Sequence, residues 1–187
     1  EKAGTLSLAE GSKLTVGNMS RLANLKIDDA SLMEVNQGNV TIEKLTMHTN
    51  GKMTLTSGDL DVTEAIGDGN FNGTIEARNG NITFEKAVNL GQTGQLTVKA
   101  ISNGSEFTNS ANMVLGKDSA ITAYTWKVNA DATLNQPSSL LLQKLELNAD
   151  LTVNGTGKQT GGSCSFGHTQ LASGTTLTIN DISSGSG

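Results

Sequence analysis

The sequence predicts an all-β protein, a right-handed single-stranded parallel β-helix (β-solenoid) of about eight rungs, with roughly 21 residues and three strands in each rung. Three observations lead to this prediction. A short glycine-led phrase recurs, the apolar positions share one period, and glycine supplies 22 of the 187 residues whereas proline supplies one. Glycine followed by alternation of polar and apolar residues is typical of a turn and a half-buried strand.

The repeated phrase consists of glycine, a polar residue, an apolar residue, a polar residue and an apolar residue. Because side chains alternate across a strand, each copy predicts apolar residues that face a core and polar residues that face solvent. In one copy, Ile75 is therefore expected to point inward and Thr74 outward. The copies between residues 38 and 98 begin at Gly38, Gly51, Gly58, Gly73, Gly80 and Gly94.

The apolar residues of these strands recur at steps of about 21 residues in three interleaved series. A period of this size indicates a solenoid in which each strand pairs with its equivalent one rung away. Stacking of the rungs then buries the apolar face that no rung can bury alone. The series are Leu25, Leu45, Ile66 and Val88; Leu32, Met53, Ile75 and Leu96; and Val40, Leu60 and Ile82.

We expect the whole chain, residues 1–187, to form a single solenoid segment. The ladder resumes after an interruption, and its later pairs are Val114 with Leu134, Ile121 with Leu141 and Trp126 with Leu145. The segments are regular rungs at 25–98, an irregular loop at 99–112, resumed rungs at 113–153, a glycine-rich loop at 154–163 and a terminal rung at 164–182.

Two other β folds compete with this prediction. A left-handed β-helix requires a strict repeat of hexapeptides, which the irregular spacing between neighbouring strands does not show. A globular β-sandwich should not hold one common period across four successive turns of the chain. The period therefore favours the right-handed parallel β-helix.

Composition narrows the classes of function. Charged residues make up 17% of the chain, the net charge is −5, and only two residues, Arg21 and Arg78, are arginines. A nucleic-acid-binding protein is expected to carry a basic patch, so we expect no nucleic-acid partner. No run of about 18 apolar residues is present, so we expect no membrane insertion within this segment. Cys164 is the single cysteine, which excludes an intramolecular disulfide.

The glycine-led phrases, such as Gly4-Thr5-Leu6-Ser7-Leu8, resemble autotransporter-type passenger regions and related adhesin-like β-helices of bacterial surfaces. The resemblance covers nearly the whole chain. It implies secretion or display on a bacterial cell surface, a structural or adhesive role, and attachment to the outer membrane through regions outside this chain. Such proteins share a scaffold rather than a site, so no functional residue is carried over.

We therefore expect a non-catalytic, bacterial cell-surface or secreted module, a rigid β-helical stalk or passenger fragment without a cofactor. Its expected partners are host or environmental glycans or surface proteins, with the loops at 99–112 and 154–163 as contact regions. Open strand edges at the two ends of a solenoid also predict end-to-end self-association.

The alternative function is a carbohydrate-active β-helix, either a polysaccharide lyase or a glycoside hydrolase. Asp28-Asp29 and Gly167-His168 are fragments of the patterns found in pectate lyases and polygalacturonases. Such an enzyme needs carboxylates that converge in one cleft, whereas the charges here are spread along the chain. If the chain is not such an enzyme, Asp28-Asp29 is expected to form a corner between strands and His168 to lie in a loop.

Two weaker patterns bear on metal binding. Asp68, Asn70 and Asn72 match the first half of a calcium loop, but the twelfth position is Asn79 rather than glutamate. An ordinary turn explains the same residues, because asparagine and glycine accept left-handed dihedral angles. Cys164 and His168 are only two of the four ligands that a structural zinc site requires. We therefore expect no metal.

The segment Tyr124-Thr125-Trp126 is the one concentration of aromatic residues in the chain. Exposed aromatic rings at this place would be able to stack on a sugar ring, whereas buried rings would pack in the core or against a cap.

Overall fold

The structure, a computed structural model, describes residues 4–65, 67, 69–155 and 163–180. These residues form parallel stacked strands and turns with no helix, and they confirm the predicted β-solenoid, which has about 8 turns. The strands are β1 Thr5–Leu8, β2 Lys13–Asn18, β3 Arg21–Ile27, β4 Leu32–Gln37, β5 Val40–Met47, β6 Gly51–Leu55, β7 Leu60–Ala65, β8 Asn72–Ala77, β9 Ile82–Phe84, β10 Val88–Asn89, β11 Gln95–Ala100, β12 Glu106–Asn109, β13 Met113–Leu115, β14 Ala120–Val128, β15 Ala132–Asn135, β16 Ser139–Leu147, β17 Leu151–Asn154, β18 Ser163–Leu171 and β19 Leu177–Asn180.

The strands form two sheets. In the fourteen-stranded sheet, one arm runs β1-β3-β5-β7-β9-β12 and a second arm runs β2-β4-β6-β8-β11. Both arms pair with β14, and β16 and β18 continue the sheet from there. The other sheet has the order β10-β13-β15-β17-β19. The right-handed sense and the division of each rung into three strands stay predictions.

The core is a stack of aliphatic side chains inside the solenoid, as the alternation predicts. Val40, Leu60 and Ile82 pair in register and are fully buried, which confirms that predicted ladder. The predicted pairs Leu25–Leu45 and Trp126–Leu145 are confirmed as well. Because each rung covers the apolar surface of the next, burial is continuous from Leu8 to Val153.

The predicted step from Met53 to Ile75 is also confirmed, whereas five other predicted steps are wrong by one or two residues. The cause is the spacing of apolar residues within a strand. Where two apolar residues are adjacent or two positions apart, either one fits nearly the same period, so the period does not determine which of them pairs. Met33 takes the place expected for Leu32, and the predicted Ile66 lies outside the described residues. The observed pairs are Leu45–Ala65, Met33–Met53, Ile75–Val98, Leu115–Leu134 and Ile121–Leu140.

The segment 99–112, predicted to be an irregular loop, contains β12 and the end of β11. Phe107 of β12 is buried and pairs with Trp126, and its ring centroid lies 5.5 Å from that of Phe84 and 5.9 Å from that of Trp126. An aromatic stack therefore fills the core at the place where the 21-residue period of the sequence is interrupted. The glycine-rich segment at 154–163 lies largely outside the described residues.

Side-chain oxygens link successive rungs at the turns. The backbone N–H of Asp59 donates to Asn39 Oδ1 at 3.1 Å, and that of Asn81 donates to Asp59 Oδ1 at 2.9 Å. A second ladder joins the side chains of Asn135, Asn154 and Asn180. These bonds satisfy turn groups that the strand ladder leaves open, so they hold the rungs in register.

Asp61 lies outward on β7 in register with Thr83, and its charge opposes folding. Burial raises the pKa of its carboxyl, as do the nearby charges of Glu85 and Asp59, although a hydrogen bond to Thr83 lowers it. A carboxyl with a raised folded-state pKa costs stability when ionised, and this cost disappears as the pH falls through that pKa.

We expect Asp61→Asn to stabilise the chain at pH 7 by up to about 0.5 kcal/mol, the usual range for such a surface substitution. The gain should shrink as the pH falls through the raised pKa of Asp61 toward about 4, the ordinary pKa of an aspartate. Urea unfolding of both proteins at the two pH values tests this. A larger gain at acidic pH than at neutral pH would contradict it.

Candidate functional site

One continuous face of the solenoid is formed by the outward side chains of β4, β6, β8, β11, β14, β16 and β18, and we call it the outer face. The strands are about 4.8 Å apart, so residues paired in register form columns along the axis. The central column of the outer face changes from charged to neutral along the chain. Its members are Glu34, Thr54, Glu76, Lys99, Thr122, Leu141 and Ser165.

The charged part of the outer face is held by ion pairs. Glu76 contacts Lys52 at 3.3 Å and Arg78 at 3.2 Å, and Glu34 contacts Lys13 at 2.8 Å. Burial raises the pKa of Glu76, but hydrogen bonds from Lys52 and Arg78 and their charges outweigh it, so the pKa lies below its ordinary value. The hydrogen bond from Lys13 likewise lowers the pKa of Glu34. These carboxylates stay ionised and paired.

Exposed apolar side chains cluster beside the neutral part of the outer face. Among the described residues, four large hydrophobic side chains are exposed: Ile101 by 50%, Tyr124 by 37%, Leu141 by 42% and Leu171 by 47%. Three of the four, all except Leu171, line a single groove of about 320 Å³. Exposed apolar side chains that cluster in this way mark interaction sites.

We call this feature the Tyr124 groove, and it is formed where the long strands bend. Residues 120–123 of β14 pair with β11, and residues 125–128 pair with β12, so Tyr124 lies at the bend. Gln143 occupies the equivalent place in β16, and Gly167 occupies it in β18. A Cβ atom on Gly167 would lie 2.3 Å from the Gln143 carbonyl oxygen, so the close approach of β16 and β18 requires glycine.

The polar groups in the Tyr124 groove are not used by the fold. Within the described part of the chain, the hydroxyls of Tyr124 and Thr122 and the amide of Gln143 have no hydrogen-bond partner. The surface amides of Asn148 and Asn129, by contrast, are bonded to each other, from Asn148 Nδ2 to Asn129 Oδ1 at 2.9 Å. The groove therefore combines apolar surface with donors and acceptors that are available to a ligand.

The structure separates the aromatic residues that the sequence placed together. Trp126 is buried, and its Nε1–H donates to Asn109 Oδ1 at 3.1 Å, whereas Tyr124 is exposed in the groove. Each of the two interpretations thus applies to one ring. A sequence signal for the groove was present in Leu140-Leu141-Leu142, because alternation along a strand turns at least one of three consecutive leucines outward.

The residues suggested for a polysaccharide-cleaving enzyme do not come together. Asp28 Oδ1 lies 3.1 Å from His48 Nδ1, and its Oδ2 lies 2.9 Å from Lys26 Nζ. Asp29 is in the adjacent turn with a φ of 51°, as expected for a corner. His168 lies in β18 rather than in a loop. His48 directly follows β5, and five strands of the sheet separate β5 from β18.

The suggested metal ligands are only partly described. Asp68 of the calcium pattern lies outside the described residues, Asn70 is exposed in a turn, and Asn72 Oδ1 accepts a hydrogen bond from the Asn50 N–H at 3.2 Å. The Cys164 side chain also lies outside the described part, whereas His168 pairs in register with Lys144. Across the residues described, no three His, Cys, Asp or Glu side chains lie together as metal ligands would. The calcium pattern stays a hypothesis.

Two other grooves differ from the Tyr124 groove in chemistry. The larger of the two, about 640 Å³, is lined by side chains of both charge signs, and Arg21 forms an ion pair there with Glu43. The other, about 390 Å³, is lined mainly by amide and hydroxyl groups, and Asn135 and Asn154 within it are bonded to each other. Neither exposes a large apolar side chain, so the Tyr124 groove is the better candidate site.

Comparison with known protein families, curated proteins and solved structures found no match to this chain. The fold therefore defines the class of protein, a β-solenoid. In the described ranges, no helix has the length and apolar character needed to cross a membrane.

Proposed function

We propose that the chain is a non-catalytic structural and adhesive module, a rigid segment of a bacterial cell-surface or secreted protein of the stalk or passenger type. The observation that carries the adhesive part is the exposed Tyr124 groove on an otherwise polar outer face. The continuous core supports the structural part, because every rung is packed between its neighbours over the length of the solenoid.

The pairing of charges favours this proposal over a polysaccharide-cleaving enzyme. A general acid in such an enzyme needs a raised pKa, whereas lysine and arginine partners lower the pKa values of Glu34 and Glu76. The pKa of Asp61 is raised, but its side chain is hydrogen-bonded to Thr83. The carboxylates of the outer face thus serve as partners in ion pairs that stabilise the surface.

A screen for polysaccharide cleavage tests the proposal. We expect the folded chain to release no reducing ends and no unsaturated products from polygalacturonate, xylan, cellulose or mannan. The heat-unfolded chain is the control for background. Product formation by the wild-type chain, with a loss of activity in Glu76→Gln or Asp61→Asn, would show that the module is an enzyme.

End-to-end association is a further part of the proposal. In the described part of the chain, β1 and β2 each pair with one neighbour, and the same holds for β18 and β19. Unpaired strand edges of this kind readily add another strand. We therefore propose that isolated copies associate through these edges at high concentration.

A further inference from the structure

We propose that the Tyr124 groove binds a neutral saccharide chain, with one sugar ring stacked on the exposed face of Tyr124. This inference rests on the proposed adhesive function and names the ligand class of that site. The ligand class follows from three properties of the groove, namely its apolar surface, its free polar groups and its lack of charge.

The apolar surface fits the flat face of a sugar ring. A pyranose ring has C–H groups on its faces and hydroxyl groups around its edge, so it needs an apolar platform with polar groups beside it. Tyr124 supplies an aromatic platform, and Ile101 and Leu141 extend the apolar surface around it. Aromatic residues are suited to this role because they combine a large apolar area with a polar tip.

The polar groups fit the hydroxyl edge of the same ring. Sugar hydroxyls both donate and accept hydrogen bonds, as do the hydroxyls of Tyr124 and Thr122 and the amide of Gln143. Because these groups have no partners within the described part of the chain, a ligand gains their hydrogen bonds without breaking any in the protein. Water alone competes for them.

Charge favours a neutral saccharide over an acidic one. Neither lysine nor arginine lines the Tyr124 groove, and the chain carries a net charge of −5. The nearest cation of the column is Lys99, which lies one strand away, next to Glu76. A uronate chain would bring negative charge to a groove whose lining holds no lysine or arginine and to a protein of the same sign.

Size favours a saccharide over a second protein. The groove volume of about 320 Å³ is near the lower end of the range for small-molecule sites. A stable protein interface needs roughly 800 Å² on each partner, which three exposed apolar side chains do not supply. The groove thus has room for one or two sugar rings of a longer chain.

The single tyrosine makes the test specific, because a fluorotyrosine label reports from the groove alone. We would titrate the labelled chain with hexamers of glucose, xylose, mannose and N-acetylglucosamine, all β-1,4-linked, and with hexagalacturonate as the charged counterpart. We expect at least one neutral hexamer to shift the fluorine resonance saturably and hexagalacturonate to bind more weakly. Calorimetry on the unlabelled chain provides the affinities.

Three variants test the role of Tyr124. Tyr124→Ala should weaken the affinity for the neutral hexamer about fivefold or more, since it removes the platform. Tyr124→Phe should retain most of the affinity, and Gln143→Ala should weaken it without affecting the fold. Leu171→Ala is the control, because it removes an apolar side chain that is 47% exposed, against 37% for Tyr124, and that lies outside the groove. Circular dichroism of each variant confirms that it is folded.

The proposal is overturned if no neutral hexamer binds at millimolar concentration, or if Tyr124→Ala binds as tightly as the wild-type chain. Tighter binding of hexagalacturonate would also overturn it, as would a dimer that buries Tyr124 in place of a ligand. Failure to bind, without cleavage of any polymer, removes this inference and leaves the structural module intact. Release of cleavage products instead removes the non-catalytic function itself.

Discussion

Ile75→Asp should unfold the rungs around β8 and lower the free energy of unfolding by at least about 4 kcal/mol. Ile75 is fully buried and pairs in register with Met53 on one side and Val98 on the other. The variant loses the apolar contacts of the isoleucine, and it also places a carboxyl group where neither water nor a cation reaches it. Both effects act in the same direction.

The neighbouring substitution Thr74→Asp is the matched control. Thr74 points outward on the same strand and pairs in register with Lys52, so a carboxylate there faces solvent and a cation. We expect a change within about 0.5 kcal/mol. Guanidinium unfolding monitored by circular dichroism compares the two variants. Equal losses in both would contradict the assignment of β8 residues to the inside and outside.

The contrast between these two positions shows what sequence alternation determines. Glycine-led phrases with strict alternation, as in β8, place each side chain on a defined face, because a strand has a period of two. Alternation does not determine the register, that is, which residue of the neighbouring strand pairs with a given residue, when several apolar residues of that strand face the core. Leu96 and Val98 both face the core, and the step from Ile75 to Leu96 is shorter by two residues than the observed step to Val98.

The candidate site was less accessible to sequence reasoning than the fold. A groove at a strand bend depends on which residue interrupts the pairing between strands. The sequence of β14 does not indicate this residue, because polar and apolar residues alternate both before and after Tyr124. The predicted contact loop at 99–112 does include Ile101, which lines the groove. The complete groove requires β14, β16 and β18 to bend at equivalent residues. Only the three-dimensional structure shows that they do.

The aromatic part of the core depends on one buried amide, that of Asn109. Its Oδ1 accepts the Trp126 Nε1–H, and its Nδ2 donates to the carbonyl oxygens of Ala111 at 3.2 Å and Ala130 at 2.8 Å. Asn109 is fully buried and its bond to Trp126 is buried as well, so water cannot replace that bond. One side chain thus joins the aromatic stack to the turns that follow β12 and β14.

Asn109→Leu should lower the free energy of unfolding by about 3 kcal/mol, because it keeps the side-chain volume but removes three hydrogen bonds and leaves the buried Trp126 N–H without its partner. Asn129→Ala is the control, since Asn129 also bonds to another amide but does so at the surface, where water substitutes. We expect that variant to lose less than about 1 kcal/mol. Urea unfolding measures both changes, and the emission of the single tryptophan reports the environment of its N–H in the folded state. A loss in Asn109→Leu no larger than that in Asn129→Ala would mean that the amide is dispensable and that packing of the rings alone holds this part of the core.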